Sequence, residues 1–370
     1  MSTGQAPGQS RLLFADWLRA WALLVMIETH VFNAFLAAGL RRAGWFGALS
    51  FVNGLVAPSF LFVSGFVFLV ASQKRIEDLR GFGKSFWRQM GKAGMIAAIG
   101  YVMHLPSYSP LRLLGGVSPQ EWLWFYRADV LHCISVTWIF LMLSLALLRS
   151  ECWQRIWFLA CVLALSVLSP LVWSVEFRPL VPAPIAAYLN VKTGSLFPLF
   201  PWSAFMLAGA LCASLFLAER RKENERGFMA WLAVVGLALA AAGHFLPPLR
   251  FLPRAQDADW WADPRTFLLR LGLVLLLLGA CFLYGLRRSP RKSVLLDVSR
   301  ESLFVYVAHL LIIYGPFWGG KSMADVVGRT QGPLVCLLAS VALAAVMLAG
   351  ARAWSRLKRR PAIPAAHATL

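Results

Sequence analysis

Charge is scarce in this chain, and acid is scarcer than base. Of 370 residues only 14% are charged, with 17 acidic side chains against 36 basic ones, while 59% are hydrophobic. That is too apolar for a soluble domain of this length and fits a polytopic membrane protein. Cysteine is also sparse. Cys133, Cys152, Cys161, Cys212, Cys281 and Cys336 lie in or beside apolar runs without paired ligand spacing, so neither a disulfide framework nor a zinc site is expected. No metal is expected at all. Internal repeats are missing, as is a pair of Gly/Pro-broken helices, which weakens an inverted-repeat transporter. The net charge of +19 would suit nucleic acid. Its basic residues, however, fall in loops between apolar runs, so they read as membrane topology and no nucleic-acid partner is expected.

What is abundant is apolar sequence in long pieces. About ten runs approach the roughly 20 residues that a helical crossing needs. They lie near 16–38, 52–72, 90–106, 129–148, 154–174, 195–217, 228–246, 266–286, 301–318 and 332–353. The third is the weakest, being short and ending at Pro106. The expected architecture is an all-α integral membrane protein of one domain with about ten transmembrane helices. A short segment (1–15) precedes the membrane domain (16–353), and a basic tail (354–370) follows it. Strongly basic loops follow the second, sixth and eighth runs, as KRIEDLRGFGKSFWRQMGK, ERRKENER and RRSPRK, and RLKRR follows the last. Even parity puts all four on one side, and the excess of positive charge makes that side, with both termini, cytoplasmic. The first helix is too long and too polar for a cleaved signal and is expected to be retained, in the plasma (inner) membrane. Two outer loops, 107–128 and 176–193, mix aromatics with a few charges. They either cover an outward cleft or pack at the interface.

The organising stretch is the first helix, DWLRAWALLVMIETHVFN, Asp16 to Asn33. Positions 16, 19, 23, 26, 30 and 33 advance by alternating threes and fours and share one helical face. Asp16 and Arg19 stand at one end of that stripe, Leu23 and Met26 form a dry middle, and His30 and Asn33 lie further in. From 16 to 30 the rise is roughly 21 Å at 1.5 Å per residue, so His30 lies deep in the bilayer. Ionisable groups at that depth are costly and read by default as functional. A histidine there can act as a general base, with Asn33 one turn on to orient it. Glu28, about 200° round the helix from His30, faces a neighbouring helix instead.

These residues carry a resemblance. Arg19, ten intervening residues and then His30 match the signature of the membrane acyltransferase-three family. The string Asp16, Arg19, Ala22, Met26, His30 resembles the opening of the related heparan-alpha-glucosaminide N-acetyltransferase catalytic domain. PSFLFVSGFVFLVAS, with Ser64-Gly65-Phe66, is similar to the second-helix motif of that group. SLFVYVAHLLIIYG, with Tyr306 and His309, is similar to its late Ser-Leu-x-x-Tyr-x-x-His helix, and RADVLHCIS (127–135) to its fourth-helix segment. The resemblance implies transfer of an acyl group, usually acetyl from cytoplasmic acetyl-CoA, to a hydroxyl or amine of a sugar beyond the membrane. The partners implied are acyl-CoA, a glycan or other polar acceptor, and the bilayer. A homodimer is compatible with it.

Together the residues and the resemblance assign roles. His30 is the candidate catalytic group, as general base or as the nucleophile that carries the acyl. Arg19, with Asp16 as its partner, is the candidate contact to the CoA phosphates. Asn33, Arg127, Asp129, His132, Tyr306 and His309 are the candidate acceptor-binding residues. For Arg127, Asp129 and His132 a satisfied helix-end cluster is an equal alternative. Ser64 and Gly65 read as packing for a close helix crossing, and His104 and His244 as interfacial. Basic clusters at Lys74, Arg75, Arg80, Lys84 and at Arg287, Arg288, Arg291, Lys292 chiefly set topology. The rival reading is a proton-coupled transporter that uses His30 and His309 as relay groups.

Overall fold

The computed structural model describes residues 12–248, 260–287, 299–318 and 320–358. Arg288, Arg291 and Lys292, most of the 1–15 segment and most of the basic tail lie outside the described residues.

Every regular element described is a helix. In chain order they are α1 (Leu13–Phe35), α2 (Gly44–Asn53), α3 (Val56–Ser72), α4 (Ile76–Arg80), α5 (Lys84–Met103), α6 (Pro110–Gly115), α7 (Pro119–Phe125), α8 (Val130–Leu147) and α9 (Glu151–Val167). There follow α10 (Ser169–Ser174), α11 (Ala183–Leu189), α12 (Leu199–Arg220), α13 (Glu225–Phe245), α14 (Pro264–Arg287), α15 (Ser302–Tyr314), α16 (Met323–Val327) and α17 (Pro333–Lys358). Among the described residues 6 stretches are long and apolar enough to cross a membrane: Gly44–Arg80, α8, α12, α13, α14 and α17. At 23 residues α1 has the length but does not qualify. Asp16, Arg19, Glu28, His30 and Asn33 lower its hydropathy, and they are the residues that single it out chemically.

Two compact units divide the chain, one built from Met1–Leu18 and Ala57–Arg287, the other from Arg19–Val56 and Arg288–Leu370. In the first, α12 is buried along most of its length and crosses α3 with almost no side chain between them. A Cβ on Gly65 would collide with the Met206 carbonyl, and one on Gly209 with the Phe62 carbonyl. Small residues at such a crossing let backbones approach where no hydrophobic force drives helices together. Ser64 donates back to the Phe60 carbonyl at 2.7 Å, so it is satisfied within its own helix, as a packing residue would be. Phe14 seals one end of this core, edge-on to Phe66, Phe216 and Phe282 at 5.8, 5.5 and 5.7 Å.

Chain reversals in this unit meet in two groups. At one end Arg80 donates to the Arg149 carbonyl at 2.6 Å, and Arg221 reaches Glu151 at 2.7 Å. Elsewhere the Leu196 and Phe197 N–H groups both donate to the Ala128 carbonyl at 3.0 Å. The loops near 80, 149 and 221 therefore lie together, and so do the segments near 128 and 196.

Arg221 hydrogen-bonds Glu151 and holds its carboxyl below the usual carboxylate range, with Arg155 adding to the effect. The resulting stability is complete above the unfolded-state value of 4.5 and disappears as pH falls through the lower folded value. Both side chains are well exposed, so Glu151→Gln should cost less than about 1 kcal/mol. Thermal melts should show that loss at pH 7, and wild type and variant should converge as pH falls through the lowered folded value.

The second unit holds α1 from Arg19 onward. Val31, Phe32, Ala34, Phe35 and Leu36 form its buried core with Ile313 of α15 and Cys336 of α17. The far end of α1 is closed by Arg41, whose guanidinium donates to the carbonyls of Phe32 and Asn33 at 3.1 and 2.7 Å. Helix carbonyls at a C-terminus lack intrahelical partners, and a cation there also meets the negative end of the dipole. Arg41→Met should cost about 1 kcal/mol, with faster amide exchange in the last turn of α1.

Candidate active site

In the second unit the structure brings together three residues marked in the sequence. The His30 ring centroid lies 5.2 Å from that of His309 on α15, the planes tilted by 51°. Tyr306 approaches His309 edge-on at 5.9 Å. The arrangement follows from helix periodicity: Tyr306 and His309 are one turn apart, and both are buried. Tyr314, which the sequence reading passed over, completes the group. Its ring stands edge-on to His30 at 5.9 Å, and its hydroxyl donates to the His30 carbonyl at 3.4 Å. The signal for it was present, because Tyr314 closes the same SLFVYVAHLLIIYG stretch that carries Tyr306 and His309.

The tautomer of His309 is dictated by its neighbour. Its Nδ1 lies 2.6 Å from the Val305 carbonyl, which can only accept, so Nδ1 carries a proton. In the neutral ring Nε2 is therefore a lone-pair acceptor, and it is buried with no hydrogen-bond partner among the described residues. A second imidazole able to accept a proton or hold a hydroxyl thus stands beside His30.

The rest of the α1 stripe is distributed as its spacing requires. Leu23 and Met26 are buried, the dry middle of the face. Asp16 is also buried, and Arg19 is half-buried one turn further on. Asn33 is exposed, and its carbonyl serves the Arg41 contact described above. Glu28 turns elsewhere and is hydrogen-bonded by Asn53 of α2, in keeping with its angular distance from His30.

Arg127, Asp129 and His132 lie in the first unit, at the start of α8. Asp129 is its N-cap and accepts from the Leu131 and His132 N–H groups at 2.8 and 3.4 Å. His132 returns the contact, its Nδ1 lying 3.2 Å from the Asp129 N–H and 3.1 Å from Oδ1. The two residues thus form a capping box with histidine in the place of the usual Glu or Gln. Asp129 and Arg127 also line a pocket of about 340 Å³ with His104, Glu121 and Trp124. Arg127 lies over the Trp124 ring at 3.3 Å. Ser118, through its N–H and hydroxyl, and Arg112 beside it keep the Glu121 carboxyl below its ordinary range. The cluster therefore has both characters: a satisfied helix start and a polar pocket wall.

The sequence model of the family described as heparan-alpha-glucosaminide N-acetyltransferase, catalytic, matches residues 11–241. The chain belongs to that family. No curated protein matches it. The heparan-alpha-glucosaminide N-acetyltransferase match takes in Asp16, Arg19, His30, Asn33, Arg127, Asp129 and His132, and it ends before Tyr306 and His309. Those last two are joined to the matched region by geometry, through the His30–His309 contact. Membership in the acetyltransferase family and the apolar helices together make this a multi-pass membrane protein of acyltransferase type.

Proposed function

We propose that the protein transfers an acyl group, acetyl foremost, from cytoplasmic acyl-CoA to a hydroxyl or amine of a sugar-type acceptor at or across the membrane. The observation that carries this reading is that His30, on a helix inside the match to an acetyltransferase family, is paired with His309. In the direct route His30 takes the acceptor proton as the acceptor oxygen or nitrogen forms a bond to the thioester carbonyl carbon. The carbon–sulfur bond then breaks, and the CoA thiolate leaves and recovers the proton as thiol. In the covalent route His30 itself receives the acyl and releases CoA, and the acceptor then attacks the acyl-histidine. His309, its Nδ1 proton committed to Val305, offers Nε2 to position the acceptor or share its proton.

The donor is placed along the α1 stripe. CoA phosphates meet Arg19, with Asp16 setting that side chain, and the uncharged pantetheine arm runs along Leu23 and Met26. Arg127, Asp129, His132, Tyr306 and Asn33 are proposed on the acceptor side. The chain is proposed to cross the plasma (inner) membrane ten times with both termini cytoplasmic, the segment 16–353 forming the catalytic membrane domain.

The test is turnover of radiolabelled acetyl-CoA by purified protein in nanodiscs, wild type beside variants matched by melting temperature. Sugar-dependent CoA release supports the reading. Well-folded wild type that neither binds nor turns over acetyl-CoA, while showing proton-driven flux of a solute, would replace it with the transporter. His309→Gln should lower kcat/KM about ten- to a hundredfold, less than loss of the base itself, with little change in melting temperature.

A further inference from the structure

We infer that His104, Asp129 and His132 form a binding site for a divalent transition ion of the zinc class. His104 caps the end of α5, while Asp129 and His132 open α8, so the three are joined by the packing of those helices. One ligand atom from each lies within 4.8 Å of the other two. A tetrahedral ion with bonds near 2 Å holds its ligand atoms about 3.3 Å apart. The His132 Nδ1 and Asp129 Oδ1 atoms, at 3.1 Å, already have that spacing, and an ion there takes over the Nδ1 lone pair that otherwise accepts from the Asp129 N–H. Only the His104 ring has to move inward, by about 1.5 Å at most, and it is half-buried at a helix end with its ring parallel to that of His132.

Two further observations point to a ligand. The buried Nδ1 of His104 has no hydrogen-bond partner among the described residues and is available to an ion, while the fully buried His132, with Nδ1 as its ligand atom, keeps its proton on Nε2. An imidazole nitrogen left unanswered beside a carboxylate and a second imidazole is expensive in apolar surroundings unless something coordinates or bonds it. The site is also shaped around the ring. A Cβ on Gly100 of α5 would meet the His132 imidazole at 2.7 Å, so any larger residue would push it away. The nearby charges leave room for a cation: Asp129 is the near carboxylate, Glu121 is paired with Arg112, and the Arg127 guanidinium is drawn over Trp124.

Two nitrogens and one oxygen suit zinc, cobalt or nickel better than magnesium or calcium, which take oxygen shells. Three protein ligands leave a fourth position, and His104 and Asp129 both face the 340 Å³ pocket from which water or another small ligand can fill it. The site does not depend on acyl transfer, and its test needs no acyl-CoA.

Tag-free protein in nanodiscs is titrated with Co²⁺, read by visible absorption and by metal content after desalting, with Zn²⁺ as competitor. One ion per chain, displaced by Zn²⁺, with affinity at least tenfold weaker in His104→Ala, is the expected result. His132→Gln should weaken binding likewise, while His30→Ala and His244→Ala should not. A wild type that retains no stoichiometric ion, or a His104→Ala protein that binds as well as wild type, would leave a helix cap only and overturn the site. So would loss of the ion in His30→Ala. Should His132→Gln not fold, His104→Ala decides alone, since its half-buried ring ends a helix and supports no core.

Discussion

Replacing His30 with alanine should lower kcat/KM for acetyl transfer by about 10²- to 10⁴-fold, the range a positioned proton acceptor contributes. The residue has the geometry for such a loss without being a fold determinant. It is half-buried, whereas the apolar residues that fix its segment, Val31, Phe32 and Phe35, are buried in a separate cluster with Ile313 and Cys336. Truncation should therefore leave the melting temperature within a few degrees of wild type. In the direct route KM for acetyl-CoA should stay near its wild-type value, because the proposed nucleotide contact, Arg19, lies elsewhere on the stripe. Label retained on denatured wild type and absent from His30→Ala would select the acyl-histidine route. A variant that turns over at the wild-type rate would remove His30 from the mechanism, and the His30–His309 pair would become a packing contact.

How far this arrangement is legible in the sequence differs by residue. The stripe on α1 is legible because threes and fours are a property of the helix itself: Leu23 and Met26 are buried where the spacing makes a dry middle, and Glu28 faces Asn53 as its angle demands. The close α3–α12 crossing was half legible. Gly65 announces a close approach, but nothing in the sequence names Gly209 or Met206 as the surface it meets. His309 beside His30 is a tertiary fact that periodicity cannot supply; only the resemblance of its stretch drew attention to it. Tyr314 was missed because five residues from His309 put it on another side of the helix, and it reaches His30 through a carbonyl contact. His104 read as interfacial because it was weighed alone. The proposed ion site depends on the packing of α5 against α8, which spacing along a single run does not supply. Asp129 and His132, one turn apart, could be read as a cap or as a ligand pair, and the structure shows why: they are a cap that leaves one imidazole nitrogen unanswered.

The largest effect on folding should come from Gly209→Leu. A Cβ at 209 meets the Phe62 carbonyl and comes within 3.0 Å of the Phe66 N–H, which are backbone atoms of α3 and cannot turn aside as a side chain would. The whole α3–α12 crossing has to open, and the buried face of α12 loses contact with it. Overpacking of this kind costs about 3 kcal/mol and often more, enough to lower the yield of folded protein and the melting temperature read from tryptophan fluorescence. Gly65→Leu strikes the same crossing from the other side, at the Met206 carbonyl, so the double variant should lose less than the sum of the two. Gly279→Ala of α14 is the matched control: nothing lies within 4 Å of its Cβ position. There the substitution only trades glycine for a better helix former and should be neutral or stabilising by up to about 1 kcal/mol. Equal damage from Gly279→Ala would mean that this membrane protein tolerates no helix glycine change, and the crossing would lose its special standing. Activity losses should separate the same way. Gly209→Leu should reduce turnover in proportion to the folded fraction, with kcat per folded molecule preserved, whereas His30→Ala should fold fully and lose the chemistry.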